Sequence, residues 1–178
     1  MYSCKFIINQ IVLKFIILLF PFVAFSQTSQ DYYEKAEKYY NNQDFESAIY
    51  NYTKCLTKDP NYASAYFYRA RSFSFLENYS EAIKDFNIFI EIENNDATMG
   101  YHYRGYCFYQ LNNFNDAIYD FTRVIILDPK NGEAYVARGI CKKFSEEKYD
   151  TPYCEDFKKG CFLGINEACE WYEEECIN

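Results

Sequence analysis

The chain has 178 residues, of which 26 are acidic and 18 basic, and its formal net charge is -8. A surface that binds nucleic acid needs a basic stripe to contact phosphates, and the sequence contains none, which argues against nucleic acid as a partner. The 20 tyrosines and 17 phenylalanines make the chain unusually aromatic, and such rings supply both core volume and adhesive surface.

The N-terminal residues 1–26 have the composition of a cleavable export signal. Lys5 and Lys14 precede an apolar run over residues 15–25. Ala24 and Ser26 occupy the minus-three and minus-one positions of a cut before Gln27. The alternative is an uncleaved membrane anchor, although polar residues and Pro21 interrupt the stretch. We therefore expect a periplasmic or secreted protein of the bacterial cell envelope, with no membrane insertion after cleavage.

The mature chain, residues 27–178, has the length of one domain and repeats one pentapeptide. The copies at 48–52, 82–86 and 117–121 read alanine, isoleucine, any residue, asparagine or aspartate, and an aromatic residue. A period of this size predicts stacked helix pairs, since one pair cannot bury its apolar face alone. We place units near 29–62, 63–97, 98–131 and 132–163, the last of them degenerate, and a capping helix over 166–176.

Each predicted unit has the same small and aromatic positions. The first helix carries an aromatic residue at position four and a small residue at position eight, which share one face and let a neighbouring helix approach closely. The second helix follows a residue expected to accept hydrogen bonds from free N–H groups, and in units one and three it ends before proline. The aromatic residues at position four are Tyr32, Tyr66, Tyr101 and Tyr135, and the small residues at position eight are Ala36, Ala70, Gly105 and Gly139. The residues before the second helices are Asp44, Asn78 and Asn113, and the prolines are Pro60 and Pro129.

This pattern resembles the tetratricopeptide repeat over about residues 29–163. The resemblance implies an all-α fold: a right-handed α-solenoid of about four helix pairs plus a C-terminal capping helix. It also implies that the protein binds a protein or peptide partner in the concave groove of the solenoid. The chain departs from the family in several places, including position 15 and the end of the first helix of unit four. Position 15, often glycine in the family, carries Gln43, Glu77 and Asn112, and Lys142 and Lys143 replace an expected aromatic in unit four.

The resemblance also indicates which residues line the groove. Most are aromatic, and such rings offer a large contact area to a peptide. The alternative is that the rings only pack against one another across so short a solenoid. The basic pattern by which some family members clamp a C-terminal carboxylate is not reproduced. The positions are Tyr33, Glu37, Tyr40, Phe67, Arg71, Phe75, His102, Tyr106 and Tyr109.

Four cysteines near the C-terminus are predicted to form disulfides, because an exported chain meets an oxidising compartment. Cys161 with Cys169, and Cys154 with Cys176, are each symmetric about Ile165, the centre of a predicted turn between antiparallel helices. The intervals and residues 158–164 also resemble Sel1-like cysteine-rich relatives of these repeats. A zinc site is the alternative, although its ligands are usually two to four residues apart. The remaining Cys55, Cys107 and Cys141 are expected to be buried thiols.

The sequence contains no catalytic motif. His102 is the only histidine, and no glycine-rich phosphate loop, H-E-x-x-H or G-x-S-x-G occurs. We therefore expect a scaffold or adaptor for a protein or peptide partner, without catalysis, cofactor or metal. Two alternatives stay open: a cell-wall or β-lactam-related enzyme, suggested by the Sel1-like resemblance, and a structural spacer that uses its convex face.

Overall fold

A computed structural model describes residues 27–94, 97–145 and 152–177, and the predicted export signal lies outside these ranges. Over the described residues the secondary structure is helical. Nine α-helices follow one another in these ranges, and a π-helical turn (Glu173–Ile177) comes last: α1 (Ser29–Asn41), α2 (Phe45–Lys58), α3 (Ala63–Phe75), α4 (Tyr79–Glu93), α5 (Thr98–Gln110), α6 (Phe114–Leu127), α7 (Gly132–Phe144), α8 (Tyr153–Phe162) and α9 (Asn166–Tyr172).

The helices form a stack of pairs. Helices α1 and α2, α3 and α4, α5 and α6, and α7 and α8 contact each other within pairs, and the second helix of each pair contacts the first helix of the next. Helix α9 packs on α8 at the end of the stack. The predicted all-α solenoid of helix pairs with a C-terminal helix is confirmed. No helix within the described ranges is long and apolar enough to cross a membrane.

Small residues at position eight allow the two helices of a pair to approach closely. Ala36 and Ala70 are fully buried. A Cβ added at Gly105 would lie 3.2 Å from the ring of Phe121, and one added at Gly139 would lie 2.8 Å from the ring of Phe157. The pentapeptide's aromatic residue therefore packs directly on the small position of the first helix.

The first helices of units one, two and three are followed by a residue with left-handed backbone. At Glu77, where φ is 60°, the backbone N–H donates to the Ser74 carbonyl at 3.0 Å, and the next N–H, of Asn78, donates to the Phe73 carbonyl at 2.9 Å. This is the Schellman motif, which satisfies carbonyls at a helix end and favours glycine. Positive φ also occurs at position 15 of units one and three, at Gln43 and Asn112, and at Gly164 in the turn before α9.

The expected N-caps of the second helices are only partly present. Asp44 accepts a hydrogen bond from the Ser47 N–H at 3.1 Å, as predicted. The prediction is wrong for Asn78 and Asn113, whose side chains accept no hydrogen bond from the helix start. The Asn113 amide instead donates to the Asp116 carboxylate at 2.6 Å.

An arginine of the first helix binds a buried aspartate of the second helix in units two, three and four. In unit three, Nε and Nη2 of Arg104 donate to the two carboxylate oxygens of Asp120 at 2.8 and 2.7 Å. Burial raises the pKa of the Asp120 carboxyl, and the bonds and charge of Arg104 oppose that rise. The equivalent pairs are Arg69 with Asp85 (2.7 and 2.7 Å) and Arg138 with Asp156 (3.1 and 2.6 Å).

The same arginine also joins its unit to the preceding one. Nη1 of Arg104 donates to Asn87 of α4 at 2.6 Å, and the guanidinium lies 5.4 Å from the ring centre of Tyr101. Arg69 likewise donates to Thr53 and lies over the ring of Tyr66. Arg138 donates to Thr122 and lies over the ring of Tyr135. No unit precedes unit one within the described residues, and unit one carries Lys35 and Asn51 at these positions instead.

The departures of unit four are explained by ion pairs. Lys142 is buried and its Nζ lies 2.9 Å from the Asp156 carboxylate, which therefore binds two cations. Lys143 lies 2.7 Å from Glu175 in the terminal turn. The two lysines thus replace an aromatic contact with bonds to α8 and to the C-terminal segment.

Position 15 generates a stability prediction. We expect Glu77→Gly to raise the free energy of unfolding by about 0.5–1 kcal/mol, because glycine adopts positive φ without steric cost. Glu34→Gly, at an exposed position in the middle of α1, should lower it by about 1 kcal/mol. Urea unfolding followed by circular dichroism measures both. If Glu77→Gly destabilised the protein as much as Glu34→Gly does, strain at position 15 would be refuted.

Candidate functional site

Three adjoining cavities lie along the first helices α3, α5 and α7 and the C-terminal segment, with volumes of about 260, 220 and 310 Å³. They share wall residues, Tyr106 between the first and second and Tyr109 and Ile140 between the second and third. We call this continuous surface the aromatic groove. Its lining comprises Arg71, Ser74, Phe75, His102, Tyr103 and Tyr106, then Tyr109, Phe121, Ala137, Ile140 and Cys141, and finally Lys143, Phe144, Phe157, Trp171 and Glu175.

Five of the nine residues assigned to the groove from sequence line these cavities: Arg71, Phe75, His102, Tyr106 and Tyr109. Tyr40 borders the first cavity, since its ring centre lies 6.0 Å from that of Phe75 and 5.5 Å from the Arg71 guanidinium. Phe75 and Tyr106 keep 54% and 44% of their surface exposed, so the groove retains free aromatic area.

The other three assigned residues do not line these cavities. Tyr33 is 9% exposed and stacks on Tyr62, with ring centres 4.9 Å apart. Phe67 is 5% exposed and packs against Tyr103 at 5.5 Å. Both belong to the core. Burial raises the pKa of Tyr33, and the charge of Glu37 beside it adds to that rise. Tyr33 and Phe67 therefore pack against neighbouring rings, as the alternative reading of the aromatic positions expected.

Arg71 stands in the first cavity among four aromatic rings. Its guanidinium carbon lies 4.7 Å from the ring centre of Tyr103, 5.5 Å from Tyr40, 5.8 Å from Phe75 and 5.9 Å from Phe67. These rings come from three successive first helices, α1, α3 and α5. Cation–π attraction therefore holds the guanidinium at the junction of three units.

His102 is a groove residue without a catalytic setting. Its ring packs edge-on against Tyr103 and Phe121, with centres 5.5 and 5.9 Å apart. Burial lowers the pKa of the imidazole, and Glu133 only partly opposes this, so the ring is neutral near pH 7. Among the residues that the structure describes, none hydrogen-bonds to His102 as a nucleophile or an orienting carboxylate.

Sequence reasoning missed several groove residues. Tyr103 occupies position six of its unit, where unit two has Tyr68, so a repeated aromatic at this position was visible in the sequence. Trp171 and Glu175 follow the last repeat, where no periodic pattern assigns a face. Only the folding of α9 back onto α8 brings them to the end of the groove.

The C-terminal cysteines hold this end of the groove. The structure places both predicted pairs at bonding distance, with Cα atoms 4.6 Å apart for Cys161 and Cys169 and 5.7 Å apart for Cys154 and Cys176. Between the two links, Trp171 packs against Phe157 with ring centres 5.5 Å apart. The terminal segment is thereby fastened to α8 on both sides of the tryptophan.

The other cysteines within the described ranges are buried thiols. Burial raises the pKa of Cys55 and Cys107 to about 11 and that of Cys141 to about 12, so these side chains stay protonated near neutral pH. Within the described ranges, no group of three or more histidine, cysteine, aspartate or glutamate residues is arranged to hold a metal ion.

Similarity to known proteins agrees with this geometry. Residues 51–84 and 99–131 match two family models described as tetratricopeptide repeat, and no curated protein matches the sequence. The Arabidopsis OM64 TPR domain is 26% identical, with a TM-score of 0.61, and the match covers 65% of this chain and 94% of that one.

Two further solved structures share the fold. The first TPR of Spaghetti (RPAP3), bound to the HSP90 peptide SRMEEVD, is 28% identical over 66% of this chain and 93% of its own, with a TM-score of 0.62. A MamA crystal structure reaches a TM-score of 0.71 at 19% identity, covering 81% and 78% of the two chains, which supports the fold alone. The chain therefore carries two tetratricopeptide repeats, over residues 51–84 and 99–131, within a stack of helix pairs like that of these domains.

Proposed function

We propose that this protein is an exported scaffold that binds a protein or peptide partner in the aromatic groove, in the bacterial cell envelope and without catalysis. The observation that carries the proposal is the exposed aromatic surface of Phe75 and Tyr106 within a continuous groove. Aromatic rings that are held in place contribute contact area at small entropic cost. The RPAP3 domain, which shares this fold, was solved with a peptide.

Export is supported by the cysteine pairs. Disulfides persist in oxidising compartments, and both C-terminal pairs lie at bonding distance in the described part of the chain. The three thiols left over are buried, which protects them from exchange with other thiols. The predicted signal over residues 1–26 supplies the route.

A structural spacer is the second candidate, because the second helices also expose aromatic rings. Tyr50 on α2 and Tyr119 on α6 are each 60% exposed and lie outside the aromatic groove. A spacer would engage larger assemblies through this face and leave the groove empty. The two functions therefore differ in which exposed tyrosine contacts the partner.

In-cell photo-crosslinking separates the two candidates. A photoreactive phenylalanine analogue replaces Tyr106 in the groove or Tyr119 outside it, and covalent adducts are identified by mass spectrometry. We expect a discrete partner adduct from position 106 that Phe75→Ala reduces several-fold, because the two rings line one cavity. Adducts from position 119 alone would favour the spacer and contradict the groove proposal.

Peptide mapping without reduction tests the export proposal. Protein recovered from the periplasm or medium should begin at Gln27 and contain the linked pairs Cys161–Cys169 and Cys154–Cys176. Reduction should lower the free energy of unfolding by about 2–4 kcal/mol, since the links restrict the unfolded chain. A full-length chain confined to the cytoplasm would contradict the export proposal, and Cys161 linked to any cysteine other than Cys169 would contradict the predicted pairing.

A further inference from the structure

The inner of the two cysteine pairs, Cys161 with Cys169, lies where α8 and α9 pack closely. The residues that precede these two cysteines approach each other, since a Cβ added at Gly160 would lie 3.2 Å from the Cβ of Ala168. Ala168 is fully buried by this contact. Helix packing therefore supports the inner link and holds the start of α9 on α8.

The outer pair, Cys154 with Cys176, fastens a segment that has little packing of its own. Cys176 belongs to the π-helical turn Glu173–Ile177, and none of these five residues is buried. The turn contains three consecutive glutamates, which repel one another at neutral pH. The ion pair of Glu175 with Lys143 is partly exposed, and exposed pairs stabilise a fold only weakly. The position of the turn therefore depends on the outer link.

This turn and the end of α9 form part of the wall of the third cavity of the aromatic groove. Trp171 and Glu175 line the cavity, whose volume is about 310 Å³. Helix α9 has seven residues, too few to keep its last turn without outside support. Trp171 shields Phe157, which is 1% exposed, and the two ring centres lie 5.5 Å apart. Freeing the turn would therefore remove two side chains from the cavity wall and uncover one side of Phe157.

The outer link is also the more open of the two to exchange. Exposed disulfides are the ones that react readily with other thiols, and Ile177, next to Cys176, is 64% exposed. The outer link joins residues 22 apart and the inner link residues 8 apart, so loop closure alone favours re-formation of the inner link by roughly fivefold. A reductant should therefore open the outer link first.

We propose that the Cys154–Cys176 disulfide is a redox latch, a site at which a dithiol reductant reversibly frees the terminal turn and opens the end of the aromatic groove. One thiolate of the dithiol attacks a sulfur of the link, and its second thiol displaces the mixed disulfide. Cys154 and Cys176 gain two electrons and two protons, and the dithiol leaves as a disulfide. The inner link keeps α9 on α8 meanwhile, so the turn can return. The latch goes beyond the groove proposal and does not depend on what binds there.

The test follows Trp171, the single tryptophan of the chain, during reduction. The disulfide-linked protein is titrated with dithiothreitol, free thiols are trapped with iodoacetamide, and the labelled cysteines are identified by peptide mass mapping. Quenching of the tryptophan fluorescence by acrylamide reports the exposure of its ring, and circular dichroism reports the helices of the stack.

We expect Cys154 and Cys176 to be labelled at a dithiothreitol concentration about fivefold lower than the inner pair requires. At that concentration acrylamide quenching of Trp171 should rise several-fold, while the helical signal is kept. Cys55, Cys107 and Cys141 are buried, so they should stay unlabelled.

Paired serine variants provide the matched control. Cys154→Ser with Cys176→Ser should show the high quenching of Trp171 without any reductant. Cys161→Ser with Cys169→Ser keeps the outer link, so its tryptophan should stay shielded until dithiothreitol is added.

Three results would overturn the latch. If the first serine variant quenches like the oxidised wild type, packing holds the turn and the link does not. If both pairs of the wild type are labelled at one concentration, the outer link is not selectively opened. If the helical signal is lost as the outer pair is labelled, the link stabilises the whole stack and is no latch.

Discussion

The bidentate pair between an arginine of the first helix and a buried aspartate of the second is the interaction on which the other contacts depend. A buried carboxylate is costly unless it is paired and hydrogen-bonded, and Asp85, Asp120 and Asp156 are all at most 4% exposed. Each arginine donates through Nε and Nη2 to the two carboxylate oxygens of its aspartate, and these bonds hold the two helices in one position against each other. Its remaining nitrogen binds the preceding unit, so the same residue also sets the spacing between units.

That spacing produces the groove. Because the arginines tie each first helix to the second helix before it, α3, α5 and α7 lie side by side and their outward rings form a continuous wall. In unit four the aspartate follows its arginine by 18 residues instead of 16, yet Asp156 still binds Arg138, and Lys142 adds a second cation. At the end of the stack, two cysteine pairs and the Lys143–Glu175 ion pair fasten the terminal segment.

The parts of the fold that depend on local periodicity were predictable. Positions four and eight, the pentapeptide aromatic and the prolines determine helix faces and ends within one unit, so the sequence alone places them. The arginine–aspartate pairs were present in the sequence as an arginine at position seven and an aspartate inside the pentapeptide. Their meaning emerges only in three dimensions, since the bonding atoms belong to different helices and the carboxylate could equally have faced solvent.

The groove was predicted less well because neighbouring units decide which rings stay open. Position five carries Tyr33, Phe67 and His102 in successive units. Tyr68 of the next unit packs on Tyr33, and Tyr103 packs on Phe67, so both become core residues. In unit four the residue equivalent to Tyr68 and Tyr103 is Ala137, which lines a cavity instead of filling it. At position five, therefore, only His102, whose neighbour in the next unit is small, lines a cavity.

A double-mutant cycle on Arg104 and Asp120 tests the central claim most directly. Arg104→Met, Asp120→Leu and the double variant are unfolded in urea and compared with the wild type. Each single variant should lose more than about 2 kcal/mol of unfolding free energy, because it leaves one buried charged group unpaired, and the double variant should recover most of that loss. Single variants within about 0.5 kcal/mol of the wild type, or losses that simply add, would contradict this account.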